Sequence, residues 1–156
     1  MANDLPLFYT SGITPADIPA ITAIETDCFK DPWSMAAVAL ELSASHAGGM
    51  TARCAATHHI AAYIFFRRVL DEMHILKVAT ARPWQRRHGA WLLMDEAIRR
   101  ARKMGLRQVF LEVRASNIAA IKLYEKTGFT VAGRRPGYYY DDNDDAIMMI
   151  HNLKEA

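Results

Sequence analysis

LEVRASNIAAIKLYEKTGF, residues Leu111 to Phe129, changes its pattern in mid-course. Val109 to Val113 is apolar and β-branched enough for a buried strand, whereas Ser116 or Asn117 can cap a helix that ends at Gly128. Glu112 is therefore placed at the C-terminal end of a strand, where open α/β sheets bind their ligands. Asn117 and Tyr124 are seven residues apart, so they share one helical face, roughly 10 Å apart along the axis. An acid, an amide and a phenol thus meet at the seam between a strand and a helix.

Outward from this stretch the chain alternates. Thr14 caps a first helix with Pro15 at its first position, and Ile18, Ile21 and Ile24 mark its apolar face. The segment Phe29 to Ser34 breaks at Pro32, Ser34 can cap a second helix towards Ala44, and Gly48-Gly49 ends that region. Met50 to Thr57, Ile60 to Val69 and Glu72 to Ala79 read as strands whose short links at His58-His59 and Leu70-Asp71 require antiparallel neighbours. Ala90 to Lys103 carries apolar residues at helical spacing, with Gly105 as C-cap. Phe129 to Ala132 and Ala146 to Leu153 supply closing strands around a polar, acidic connection. The order is β-α-α-β-β-β-α-β-α-β-β. It predicts an α/β (α+β) fold: a mixed, mostly antiparallel central sheet of about six to seven strands with about four helices on its two faces.

The 156 residues suit one domain, 1–156. A hydrophobic fraction of 51% with 23% charged residues argues against disorder. No apolar run approaches a membrane span, and the N-terminus MANDLPLFYTSG has an acid where a secretory signal carries basic residues, so the expected location is cytoplasmic. A net charge of +2 predicts neither direct nucleic-acid binding nor membrane attachment. Cys28 and Cys54 form neither a disulfide framework nor a metal-ligand pattern. The six histidines show no zinc spacing. The run Asp141-Asp142-Asn143-Asp144-Asp145 has alternating oxygen ligands, but Ala146 replaces the glycine that a calcium loop requires at its sixth position. No metal is expected, and the run reads as a solvated turn with attraction of a basic peptide as a second role.

Gln85-Arg86-Arg87-His88-Gly89-Ala90 lies between a strand and a long helix, where exposed N–H groups and the helix dipole attract phosphate. It is neither a P-loop nor a dinucleotide GxGxxG, so the pyrophosphate of another carrier such as coenzyme A remains open, as does a plain basic first turn.

Taken with Glu112, Asn117 and Tyr124, this loop resembles that of the GNAT superfamily of acetyl-CoA-dependent N-acetyltransferases, Q/R-x-x-G-x-G/A, with His88 where the first glycine is usual. Three further motifs resemble the branch that acetylates the N-terminal alanine of a small-subunit ribosomal protein, the RimI branch. They are Phe29 with Pro32-Trp33-Ser34, LEVRASN with Tyr124 and Gly128-Phe129, and Arg134-Arg135 followed by Tyr138-Tyr139 and Asp145-Ala146. The resemblance implies the GNAT fold, acetyl-CoA as co-substrate and the N-terminal peptide of a ribosomal protein as partner. It implies Glu112 as proton acceptor and Tyr124 as proton donor. It further implies that Val78, Ala79 and Thr80 bind pantetheine through their backbone, that Arg86, Arg87, His88, Gly89, Ala90 and Trp91 hold the pyrophosphate, and that Asn117 contacts the cofactor arm. Trp91 stands where a basic residue is frequent. The same motifs fit a relative acting on another protein N-terminus or a small-molecule amine, and His88 and Trp91 also fit a non-catalytic CoA-binding module.

Elementary chemistry bounds these roles. A peptide α-amine has a pKa near 7.7 to 8.0, so much of it must lose a proton before it attacks a thioester. An ordinary glutamate is a weak base for this, directly or through a water, and burial would strengthen it. A phenol near 10 is a weaker acid than a thiol near 8.5, so full transfer to a departing thiolate is uphill by roughly 2 kcal/mol. Tyr124 is therefore expected first as a hydrogen-bond donor to sulfur. Packing alone for Tyr124, helix capping alone for Asn117 and a solvent-facing Glu112 are the plainer alternatives.

Overall fold

A computed structural model describes residues 6–154. Met1 to Leu5, which carry the acid invoked against a secretory signal, lie outside the described residues. In chain order the elements are β1 (Phe8–Gly12), α1 (Ile18–Cys28), α2 (Met35–Ser43), β2 (Ala47–Cys54), β3 (Ile60–Val69), β4 (Glu72–Thr80), α3 (Gly89–Lys103), β5 (Gln108–Arg114), α4 (Ile118–Lys126), β6 (Thr130–Tyr139) and β7 (Asp144–Asn152). Short 3-10 turns occupy Pro15–Asp17 and Arg82–Trp84. The strands form one mixed sheet in the order β1-β2-β3-β4-β5-β7-β6. β4 pairs with β5 in parallel, while β1 with β2, β5 with β7 and β6 with β7 are antiparallel. The order of strands and helices is the one expected from the sequence.

Contacts divide the chain into two compact units, each discontinuous in sequence. The first comprises residues up to Phe66 together with Lys77–Leu93, and the second comprises Arg67–Leu76 and the chain from Met94 onward. In the first, Ile21 and Ile24 of α1, Val38 of α2, Tyr63 and Phe65 of β3 and Ala79 of β4 form a buried cluster. Phe29 and Trp33, from the segment between α1 and α2, pack against it. In the second, Val109, Leu111 and Val113 are buried on alternate positions of β5, which leaves Phe110, Glu112 and Arg114 on its less buried face. The amphipathic period of α3 buries Met94, Ala97, Ile98 and Ala101 in the same unit.

Local signals set most element ends. Ser34 Oγ accepts from Ala37 N at 3.1 Å and caps α2. At the end of α4, Gly128 N donates to Glu125 O and Phe129 N to Tyr124 O, both at 3.0 Å, with Gly128 left-handed at φ 93°. This pair of bonds is a Schellman motif. A Cβ at Gly128 would lie 2.7 Å from the His151 ring, so space as well as torsion demands glycine there.

Several boundaries differ from expectation, among them β2, which spans Ala47–Cys54 rather than Met50 to Thr57. Pro15 opens a 3-10 turn rather than α1, which starts at Ile18; Thr14 N is held by Asp17 Oδ2 at 2.9 Å. Gly48 and Gly49 lie inside β2 rather than ending a region. A Cβ on Gly49 would meet Ile13 at 2.6 Å and the Ile64 carbonyl oxygen at 3.0 Å, so glycine permits a close approach here instead of a turn. β6 continues to Tyr139 because register shifts at Val131/Gly133 and Arg135/Tyr139 let a strand containing Pro136 stay paired with β7.

Candidate functional site

The end of β4 at Val78 to Thr80 and the basic loop, both expected to hold a cofactor, belong to the first unit. The ladder of β4 with β5 covers Glu72↔Gln108 to His74↔Phe110, so Val78, Ala79 and Thr80 lie beyond it. Ala79 is buried in the cluster described above, while Val78 and Thr80 are half-buried. Gln85 Nε2 donates to Thr80 O at 3.2 Å and draws the basic loop to the end of the strand.

That loop has an unusual backbone. Arg86 and His88 are left-handed, at φ 62° and 67°, conformations that cost a side-chain-bearing residue about 1 kcal/mol or more. His88 is thus the position where glycine would be at ease. Gly89 is not at positive φ; it is buried, and a Cβ there would make ordinary contacts with Phe8 at 3.5 Å and Ala62 at 3.6 Å. The conformational demand therefore falls on His88 itself. Two left-handed residues, separated by one position, give the loop a tight, irregular backbone immediately before the helix. It opens directly into α3, since Leu92 N donates to His88 O at 3.0 Å. The side chains of Arg86, Arg87, His88 and Trp91 are exposed, with Arg87 also over the Trp84 ring at 5.6 Å. Cationic side chains and the dipole of a 15-residue helix fit a pyrophosphate.

The second unit holds Glu112, Asn117 and Tyr124. Glu112 lies on the less buried face of β5, opposite Met148 of β7, with its side chain 21% exposed. Burial thus does not isolate it; solvent reaches the carboxylate, which suits proton transfer relayed by water. Arg135 of β6 reaches it at 3.7 Å, Nη2 to Oε1, a loose ion pair. Tyr124 is buried on α4, its ring 6.0 Å from that of Phe129. Burial, with a smaller contribution from Tyr139, pushes its hydroxyl well above the ordinary tyrosine range. Tyr139 is itself raised, by burial first and then by the Glu112 carboxylate. Tyr139 is therefore within electrostatic reach of both Glu112 and Tyr124. Asn117 is exposed and caps α4 through Oδ1, which accepts from Ala120 N at 3.2 Å.

Sequence reasoning gave Arg135 no role of its own and read Tyr138-Tyr139 as closing over an extended peptide; the approach of Arg135 and Tyr139 to Glu112 depends on the irregular run of β6 along β7. The acidic turn at Asp141 to Asn143 is exposed, as the sequence led one to expect, but its acids are also paired. Arg114 Nη1 donates to Asp142 at 2.7 Å and Nη2 to Asp141 at 3.2 Å, while its guanidinium stacks 4.0 Å over the Tyr139 ring. Arg114 holds the Asp141 carboxyl below its usual range against a desolvation that opposes it. Ser116 Oγ donates to Asp144, and Asp145 accepts from Arg134 and from Gly137 N at 2.8 Å. These acids fasten the β6–β7 hairpin to the end of β5. No cluster of potential metal ligands occurs among the described residues.

The acetyltransferase (GNAT) family model matches residues 18–129. The chain is 35% identical over 143 residues to the [ribosomal protein bS18]-alanine N-acetyltransferase of Escherichia coli K12, an alignment spanning 89% of this chain and 93% of the relative. The crystal structure of the ribosomal-protein-S18-alanine N-acetyltransferase from Escherichia coli superposes with a TM-score of 0.86 at 32% identity, covering 96% of each chain. NAA60 from Arabidopsis thaliana, solved in complex with acetyl-CoA, shares the fold at a TM-score of 0.85 and 17% identity, covering 94% of this chain and 98% of that one.

Proposed function

Because the chain belongs to the acetyltransferase (GNAT) family and is an N-acetyltransferase, we propose that it transfers acetyl from acetyl-CoA to a protein N-terminal amine, that of an alanine on a small-subunit ribosomal protein. The observation that carries the acceptor is the 35% identity to an enzyme of that name over most of both chains. The family model covers residues of both units, which supports reading 1–156 as one N-acetyltransferase domain. No described helix is long and apolar enough to cross a membrane, and Cys28 and Cys54 are free thiols, which supports a cytoplasmic setting.

Acetyl-CoA supplies an acetyl group activated as a thioester. The backbone of Val78, Ala79 and Thr80 would hold its pantetheine arm, and the segment from Arg86 to Trp91 would hold its pyrophosphate. Asn117 would contact the arm through the part of its carboxamide not engaged in the helix cap. Glu112 accepts the proton that the acceptor ammonium must lose, through a water that its 21% exposure admits. The Arg135 guanidinium, close but loosely paired, is displaceable by the incoming ammonium. Tyr124 keeps its proton because burial penalises the phenolate, so its hydroxyl serves as a hydrogen-bond donor to the departing sulfur.

Thiol release from acetyl-CoA is the test, measured with an Ala-initiated basic peptide, the same peptide blocked at its N-terminus, and free small amines. Release with the unblocked peptide alone is expected. Reaction of the blocked peptide would move the site to lysine side chains, reaction confined to small amines would replace the acceptor class, and CoA binding without release would reduce the chain to a binding module.

A further inference from the structure

Glu25, in the last turns of α1, is completely buried, yet the chemistry above makes no use of it. Its carboxylate accepts three hydrogen bonds: from Lys77 Nζ at 3.0 Å, from the Trp33 backbone N at 2.9 Å, and from the Tyr63 hydroxyl in a very short contact. The Lys77 ammonium also lies over the rings of Phe29, 3.7 Å from the centroid, and Trp33, at 5.2 Å. Two further links run between the same elements. Cys28 Sγ donates to Thr80 O at 3.4 Å, and Arg82 Nη2 donates to Asp27 O at 2.8 Å. The last turn of α1 is thus fastened to β4 at Lys77 and Thr80, and to Arg82 just beyond, all within the first unit.

A buried ion pair is a poor device for stability alone, since apolar residues of similar volume commonly do as well, whereas removing one partner strands the other. What such a pair fixes well is geometry. Lys77 immediately precedes Val78, Ala79 and Thr80. We infer that Glu25 is a positioning residue for the acetyl-CoA site: through Lys77 it sets the strand whose backbone receives the pantetheine arm. This rests on the cofactor reading of Val78 to Thr80.

The test measures Kd and KM for acetyl-CoA, kcat and thermal midpoint for wild type, Glu25→Gln, Lys77→Met and Tyr63→Phe. Glu25→Gln keeps the shape but weakens the bond to Lys77, and Lys77→Met removes that bond from the other side. Each is expected to raise Kd and KM about tenfold, the worth of a hydrogen bond between charged groups, with kcat within about twofold. Tyr63→Phe removes a donor from Glu25 while keeping the ring's packing and the Lys77 bond; it is expected to lower the midpoint and leave KM within about twofold. Unchanged KM in folded Lys77→Met, or a rise in Tyr63→Phe equal to that in Glu25→Gln, would show a merely structural role and overturn the inference. Wild type that binds no acetyl-CoA would instead remove the cofactor reading beneath it.

Discussion

Glu25 and Glu112 are both glutamates set among hydrophobic neighbours, and the fold treats them in opposite ways. Glu25 is sealed in the first unit with three donors on its carboxylate, whereas Glu112 in the second unit retains 21% exposure and faces one arginine at 3.7 Å. A saturated buried carboxylate is rigid and unavailable; a loosely paired one at a strand end can exchange partners and protons. The lesson is a division of labour. On the proposed roles, the fastened strand and left-handed loop of the first unit hold the cofactor, while Glu112 and Tyr124 of the second carry the proton chemistry. Changes at the strand and loop of the first unit should therefore appear in affinity, and changes at Glu112 and Tyr124 in turnover.

Among changes beyond Glu112 itself, Tyr124→Phe offers the largest departure by which that division is sharpened. A hydrogen bond to a developing anion is worth about 1.5 to 3 kcal/mol, so kcat should fall roughly 10- to 100-fold with acetyl-CoA affinity unchanged, as read by steady-state kinetics beside calorimetry. The pH dependence follows from burial. Because the folded hydroxyl titrates above the ordinary value near 10, it stays a donor as pH rises from 8 to 10. A fall in kcat over that range which Tyr124→Phe abolishes would contradict the assignment.

His88→Gly probes the holding side and should produce a smaller effect of opposite sign. Glycine relieves the left-handed backbone at φ 67°, so the thermal midpoint should rise by the equivalent of about 1 kcal/mol. Loss of the side chain from a loop that approaches pyrophosphate should also tighten acetyl-CoA a few-fold, roughly 0.5 to 1 kcal/mol. Tightening accompanied by a large change in kcat would blur the line between the two units' tasks. Affinity that is equal or weaker would count against close approach of the backbone.

Much of this was legible in the chain because it is locally encoded. Ser34, Asn117 and Gly128 set helix ends through bonds to residues a few positions away, and the alternation of Val109, Leu111 and Val113 declares which face of β5 is buried. Glu112 and Tyr124 could be singled out as candidates for the same reason, since one short stretch carries both. The Glu25–Lys77 pair spans 52 residues, and no local period announces it. Its faint signal is an acid at the helical position next to Ile21 and Ile24, on a face that otherwise stays apolar. The left-handed torsions of Arg86 and His88 were hidden because arginine and histidine do not advertise them as glycine does. The reach of Arg135 and Tyr139 towards Glu112 depends on register shifts in β6, which follow from pairing with β7 rather than from local propensity.

Glu112→Gln tests the central claim most directly, with kcat for acetylation of an Ala-initiated peptide and Kd for acetyl-CoA measured on the same preparation. Loss of a general base should lower kcat by about 100-fold or more while Kd stays within about twofold of wild type. Turnover equal to wild type, or a loss explained wholly by weaker acetyl-CoA binding, would contradict the assignment of Glu112 as the group that accepts the acceptor's proton.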